Sequence, residues 1–213
     1  MRICTATALL AGLALSACAP PHRTSEASGV RAPLTPAEQA RADGGQAVYT
    51  RADVTFMQGM IAHHSQALIM AALAPTNNSG SAVRVLAERI NVSQRDEIAF
   101  MQRWLRERAE TVPQVADAHM GHSMSAGGMD EHSAQMPGML SAEQLTRLTA
   151  ARGAEFDRLF LSFMIQHHEG AIVMVRQLFA SPGAGQEVNV SLFASEVEAD
   201  QTIEINRMRA MLF

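Results

Sequence analysis

The chain reads as all-α, a four-helix bundle made of two duplicated helical hairpins. Three observations predict this: apolar residues recur at helical spacing over long stretches, the second half repeats the first, and no stretch alternates apolar and polar residues as a half-buried strand would. At an offset of 104, Asp53, Phe56, Met60, Ile61, His63, His64, Ala67 and Met70 return as Asp157, Phe160, Met164, Ile165, His167, His168, Ala171 and Met174. At an offset of 107, Ala87, Gln94, Glu97, Ile98, Met101 and Leu105 return as Ala194, Gln201, Glu204, Ile205, Met208 and Leu212. Three extra residues in the second turn reconcile the two offsets. Two hairpins, each with one apolar face, bury those faces against each other.

The elements follow in chain order. Residues 1–17 begin with Met1-Arg2, continue with a short apolar run and read as an export signal, too short for a comfortable membrane span. The run ends in Leu15-Ser16-Ala17-Cys18, which resembles the bacterial lipobox. Cys18 is therefore expected to be the lipidated first residue of the mature chain, anchored outside the cytoplasm, periplasmic or at the cell surface. Ala19 after it would favour the outer membrane in a Gram-negative cell. Residues 18–34, rich in Pro, Ser, Ala and Gly, read as a tether. The first hairpin, 35–112, opens on the capping box Thr35-Pro36-Ala37-Glu38. Phe56, Met60, Ala67 and Met70 share one helical face, a breaker cluster fills 75–80, and Ile90, Met101, Trp104 and Leu105 mark the returning face. A connector, 113–140, precedes the second hairpin, 141–213, whose capping box is Ser141-Ala142-Glu143-Gln144 and whose turn is Ser181-Pro182-Gly183-Ala184-Gly185.

Composition narrows the chemistry. Of 213 residues, 47% are apolar and 18% charged, enough to build a core, and the net charge of −4 offers no basic face for nucleic acid. There are 14 Met, 8 His and 2 Cys. Cys4 leaves with the signal and Cys18 is acylated, so the folded part is expected to hold no disulfide and no thiolate ligand. Any soft-metal chemistry must then use Met sulfur.

Two constellations could supply it. In Met60-Ile61-Ala62-His63-His64, Met60 precedes the two imidazoles by three and four residues, so its thioether lies beside either on a helix. At about 100° per residue, Met60 and His64 fall within about 20° of Asp53, with His63 about 100° from His64 and along the flank. Asp157, Met164, His167 and His168 repeat the arrangement. The connector places five Met and three His within 21 residues: His119, Met120, His122, Met124, Met129, His132, Met136 and Met139. Its Gly and Ser leave no periodic apolar face, so these Met are expected to stay out of the core. Thioether with imidazole suits copper, sulfur preferring Cu(I) and nitrogen serving either oxidation state. The Glu-x-x-His pairs of a di-iron centre, a His-Glu-x-x-His zinc helix, a haem attachment motif, a phosphate loop and a Gly-x-Ser-x-Gly elbow are all missing. No nucleophile is paired with a base, so no enzyme is expected.

The doubled Met-x-x-His-His motif, preceded by Asp and Phe and followed by a helix carrying Glu-Ile-x-x-Met, resembles the bacterial family called domain of unknown function 305, from about Asp53 to Met211. That resemblance implies a ferritin-like four-helix bundle, an exported location and copper binding without known catalysis. It also implies that Asp53, Met60, His63, His64, Asp157, Met164, His167 and His168 are the matching site residues. The expectation is a lipid-anchored copper-binding protein that sequesters or delivers Cu(I), with Cu(II) as second choice. Its helical clusters would be the defined sites, the Asp residues oxygen ligands or supports for the imidazoles, and the connector a weaker collector. Such a role calls for a copper exporter or chaperone as partner. Two other readings use the same helices. One is a non-covalent haem bundle for electron transfer. The other is a structural or partner-binding lipoprotein without metal. Adjacent His cannot both face one centre, which leaves two sites or one shared site open.

Overall fold

The computed structural model describes residues 49–113 and 136–212. They form five helices: α1 (Arg51–Ala72), α2 (Ser81–Glu107), α3 (Ala142–Ala150), α4 (Gly153–Ala180) and α5 (Val188–Leu212). No strand occurs among the described residues. The export segment, Cys18, the tether and the Thr35 capping box lie outside them.

Helix α1 packs along α2 and α4 along α5, and the two hairpins meet through α1 and α4. The turns fall at the two breaker clusters. Thr50 opens α1 with a capping box: its hydroxyl accepts from the Asp53 N–H while the Asp53 carboxylate accepts from the Thr50 N–H at 2.6 Å. The Ser141 box is present too, but it opens the short α3 rather than the long helix of the second hairpin. Ala151 leaves helical geometry with ψ 152°, and Gly153 at φ +56° restarts the chain as α4. Sequence periodicity joins the two because both carry apolar residues at helical spacing.

The apolar core falls into two clusters. One gathers Met57 and Met60 of α1, Met101, Trp104 and Leu105 of α2, Met174 and Leu178 of α4, and Val190 and Phe193 of α5. The other gathers Met70 of α1, Leu86 and Ile90 of α2, Phe156, Phe160 and Met164 of α4, and Met208 of α5. Along each helix the sequence between these groups is polar: His63 and His64, Gln94, His167 and His168, and Gln201, all buried. Each fully buried Met or Leu contributes about 1.5–3 kcal/mol. Each buried polar atom left without a partner costs about 1–3 kcal/mol. A polar layer through the middle of the core therefore works against the packing on either side of it and needs a reason.

Each hairpin also clasps the other's turn. The N–H of Gly185, between α4 and α5, donates to Asp53 Oδ1 at 2.7 Å. The N–H of Gly80, between α1 and α2, donates to both oxygens of Asp157 at 3.1 and 3.0 Å. Gly185 sits at φ +66°, a conformation that glycine adopts without strain.

The end of the connector departs from expectation. Residues 136–140 form a strap on the bundle, with Met139 buried and Met136 half-buried against the first core cluster. Backbone proximity is the cause: a Cβ on Gly170 of α4 would stand 2.0 Å from the Pro137 carbonyl oxygen, so only glycine lets the strap lie down. Gln66 fastens it further, donating to the Leu140 carbonyl at 3.1 Å and accepting from the Leu140 N–H at 2.7 Å. These two methionines were expected in an uncored linker because composition registers Gly as a breaker and not as a contact surface.

Candidate metal centre

The four helical histidines are fully buried, at 0% exposure. His63 and His64 diverge because α1 has a neighbour on each side. His63 turns to α4, where its ring lies on that of His167 with centroids 3.8 Å apart and planes 36° apart. His64 turns to α2, where its Nε2 meets Glu97 Oε2 at 2.5 Å. His168 repeats this against Glu204 of α5 at 2.6 Å. The flank that sequence assigned to His63 is thus the interface between hairpins, not a surface.

Every Nε2 is committed to an oxygen. That of His63 meets the Pro137 carbonyl at 3.0 Å, and that of His167 meets the His63 carbonyl at 3.0 Å. A carbonyl only accepts, so in these two rings Nε2 carries the proton and donates, and Nδ1 is left as a bare lone pair. Burial first, then the neighbouring His64, pushes the His63 pKa down to about 3; burial and His63 hold His167 well below its ordinary value. The stacked rings are therefore neutral near pH 7. Burial alone would raise Glu97, but the bond from His64 brings its carboxyl below the usual range, helped by the Ser93 hydroxyl at 3.1 Å. A carboxylate on Nε2 likewise leaves Nδ1 of His64 and His168 as the free ring atom.

All four Nδ1 atoms are buried without a hydrogen-bond partner. Both amide atoms of Gln94 and Oε1 of Gln201 share that condition. Unpartnered buried polar atoms are uncommon in native folds, and here they recur at matching positions of both halves. An imidazole whose N–H is fixed by a carboxylate or carbonyl and whose other nitrogen is bare is the arrangement a metal-ligating His takes. Met60 and Met164, at 0% exposure, stand one turn before these rings. Among the described residues no three His, Cys, Asp or Glu side chains come together as a ligand set. A metal bound there would draw on thioether as well as imidazole.

The remaining expected residues fall elsewhere. Asp53 and Asp157 lie ten residues before His63 and His167, about 15 Å along their helices. Their carboxylates hold backbone N–H groups of the turns, so their recurrence marks a clasp and not a ligand. His119, Met120, His122, Met124, Met129 and His132 lie outside the described residues. Sequence reading gave no role to Gln94, Glu97 and Met101 or to Gln201, Glu204 and Met208. The signal was present, since all six recur at the 107 offset, but a helical Glu or Met carries no sign of what it faces.

Fold and site together define an all-helical protein of duplicated hairpins with a buried layer of imidazole, amide and thioether groups. The chain belongs to the domain of unknown function family DUF305, whose model matches residues 53–212. A DUF305 fragment from Deinococcus radiodurans is 27% identical at TM-score 0.63, with 77% of this chain and 97% of that one covered. A DUF305 protein from Streptomyces coelicolor is 25% identical at TM-score 0.60, covering 76% and 91%. CopM in its Cu(I)-bound form is 25% identical at TM-score 0.54, covering 75% and 94%. Its Cu(II)-bound form gives 26% and 0.54. No curated protein matches the chain.

Proposed function

We propose that this protein binds copper outside the cytoplasm, Cu(I) in preference to Cu(II), and sequesters or delivers it without catalysing a reaction. The fold is read as a four-helix bundle of ferritin-like type, with α3 as an addition to the second hairpin. One observation carries the function: four buried imidazoles hold their N–H on oxygen acceptors and leave Nδ1 bare, with a buried thioether one turn away in each half. Copper-bound CopM, a structural neighbour, supports the choice of metal. The ligands on this reading are His63, His64, His167 and His168 with Met60 and Met164; Asp53 and Asp157 take no part. The connector collects Cu(I) at lower affinity, Cys18 anchors the chain by lipid, and a copper exporter or chaperone exchanges metal with it. No helix among the described residues is long and apolar enough to cross a membrane.

Competition with a chromophoric Cu(I) chelator tests the reading. The wild type should retain Cu(I) that a variant with Met60, His64, Met164 and His168 all changed to Ala releases. Equal retention by the two proteins would end the specific-site claim. Isolation as a red protein with a Soret band would favour the haem bundle instead.

A further inference from the structure

The last helix is apolar on two sides. Its inner face carries Val190, Phe193, Val197, Ile205 and Met208 into the core. Its outer face carries Val188, Leu192, Ser195, Ala199, Thr202 and Asn206, all exposed, at the alternating steps of four and three that keep one seam toward a neighbouring helix. Ile203 stands beside Thr202. Val188, Leu192 and Ile203 are 63%, 58% and 63% exposed. The Ser195 and Thr202 hydroxyls donate to the Ser191 and Glu198 carbonyls of their own helix, so covering the seam would strand neither donor.

The duplication supplies the control. Where α5 has Ser195, Thr202, Ile203 and Ala210, the matching face of α2 has Glu88, Arg95, Asp96 and Arg103. A solvated helix keeps such charges on its outer face, and α2 does. The same position in the second hairpin has none, which marks a face that meets something other than water.

Charge beside the seam identifies the occupant. On one flank Glu196 and Asp200 come first and Arg207 comes two turns later. No ion pair engages these three among the described residues, whereas Glu198 and Arg209 on the other flank are held by Arg176 at 3.5 Å and Glu169 at 2.6 Å. Glu196 and Asp200 also line a groove between α2 and α5 with Asp96 and Glu97, an acidic seat for a cationic side chain. Partial burial, then Glu97 and Glu204, hold the Asp200 carboxyl above its usual range, so a cation brought to it relieves repulsion.

We propose that the outer face of α5 docks antiparallel on the same face of a second copy of this chain, with Arg207 of each copy against Glu196 and Asp200 of the other. Parallel pairing would set like charges together; antiparallel pairing is self-complementary about a twofold axis. The seam from Val188 to Ala210 is about 33 Å long, and a helix pair of that length buries about 1,000 Å² in total, the lower edge of specific interfaces. The dimer is therefore weak in solution, and confinement of the chains to one surface would favour it. The inference does not depend on the copper reading.

Sedimentation equilibrium of the full mature chain carrying Cys18→Ser tests this over a concentration series up to about 0.3 mM. A monomer and dimer in equilibrium are expected, with nothing larger, because a twofold pairing uses up the face. Leu192→Glu with Ile203→Glu should weaken the dimer by at least about tenfold. Val85→Glu with Val92→Glu, on the matching face of α2, should leave it as in the wild type. All four positions are exposed, so thermal midpoints at low concentration should stay as in the wild type. Charge reversal tests the orientation: Arg207→Glu alone, and Glu196→Arg with Asp200→Arg, should each dimerise at least about tenfold more weakly, and an equimolar mixture of the two should recover a heterodimer. A wild type that stays monomeric throughout, a dimer that survives the changes at Leu192 and Ile203, or a mixture no better than its components would overturn the proposal. So would a monomer that binds phosphatidylcholine vesicles and loses them on those same two changes, which would give the face to a membrane.

Discussion

The two hairpins carry the same polar residues at the same places, yet their central histidines end on different acceptors. His167 of the second hairpin donates to the backbone of α1, whereas His63 of the first donates to Pro137 of the strap. What recurs is the carboxylate behind one ring, the Asp on the opposite turn and the Met one turn before. What differs among the described residues is the oxygen that each stacked ring meets. The duplication therefore lays down the donor groups, and the strap at 136–140, which reaches His63 through Pro137, breaks the equivalence of the two stacked rings.

Removing the strap should have the largest effect. Gly170→Val would drive a side chain into the Pro137 carbonyl with backbone on both sides and nothing flexible to yield. A loss of roughly 2–4 kcal/mol is expected in chemical denaturation. Gly59→Ala is the contrast, because a Cβ there would meet only flexible side-chain ends, that of Met174 at 3.4 Å and the Met136 sulfur at 3.6 Å. That change should be neutral or stabilise by up to about 1 kcal/mol, since Ala is the better helix residue.

Acid should break the stack next. His63 is held at about 3 when folded against its ordinary 6.5, with His167 lowered in the same sense. Below 6.5 the unfolded chain takes up protons that the folded chain refuses, so stability is complete above that pH and falls as pH drops toward 3. Each such ring contributes a slope of about 1.4 kcal/mol per pH unit within the window. Denaturation midpoints of the metal-free protein at pH 7.0, 5.5 and 4.5, as planned set points, should fall steadily, and less steeply in His63→Leu. A flat profile would show that the rings are not buried neutral.

The clasps should give the smallest effects and rank the two hairpins. Asp53 is buried and serves both the α1 cap and Gly185, so Asp53→Ala should cost about 1–3 kcal/mol. Asp157 serves Gly80 alone, and Asp157→Ala should cost about 0.5–1.5 kcal/mol. Equal losses would mean that the capping half of the Asp53 contact contributes nothing.

Much of this was legible in the residues. Helical period, breaker turns and the two offsets place α1, α2, α4 and α5, and recurrence singles out both His pairs. The partners of those residues were not legible, because a contact across helices leaves no trace in local spacing. Glu97 reads as an ordinary solvated helix residue until α1 brings His64 to it. Asp53 shares a sector with Met60 on a helical wheel, but the wheel discards the ten residues of rise that separate Asp53 from His63. Met139 sits in a Gly-rich stretch that looks uncorable until Gly138 meets Gly170. Recurrence says that a residue matters in both halves; only the fold says whether it binds metal or ties a turn.

The central claim is that the four helical imidazoles present Nδ1 as their free nitrogen. Nitrogen-15 NMR of the histidine-labelled protein tests it directly, since the two ring nitrogens shift differently according to which one holds the proton. The metal-free protein should show His63, His64, His167 and His168 with the proton on Nε2, and Cu(I) should move Nδ1 resonances while Nε2–H persists. A proton on Nδ1 in the metal-free state, or Cu(I) that leaves every helical Nδ1 where it was, would contradict it.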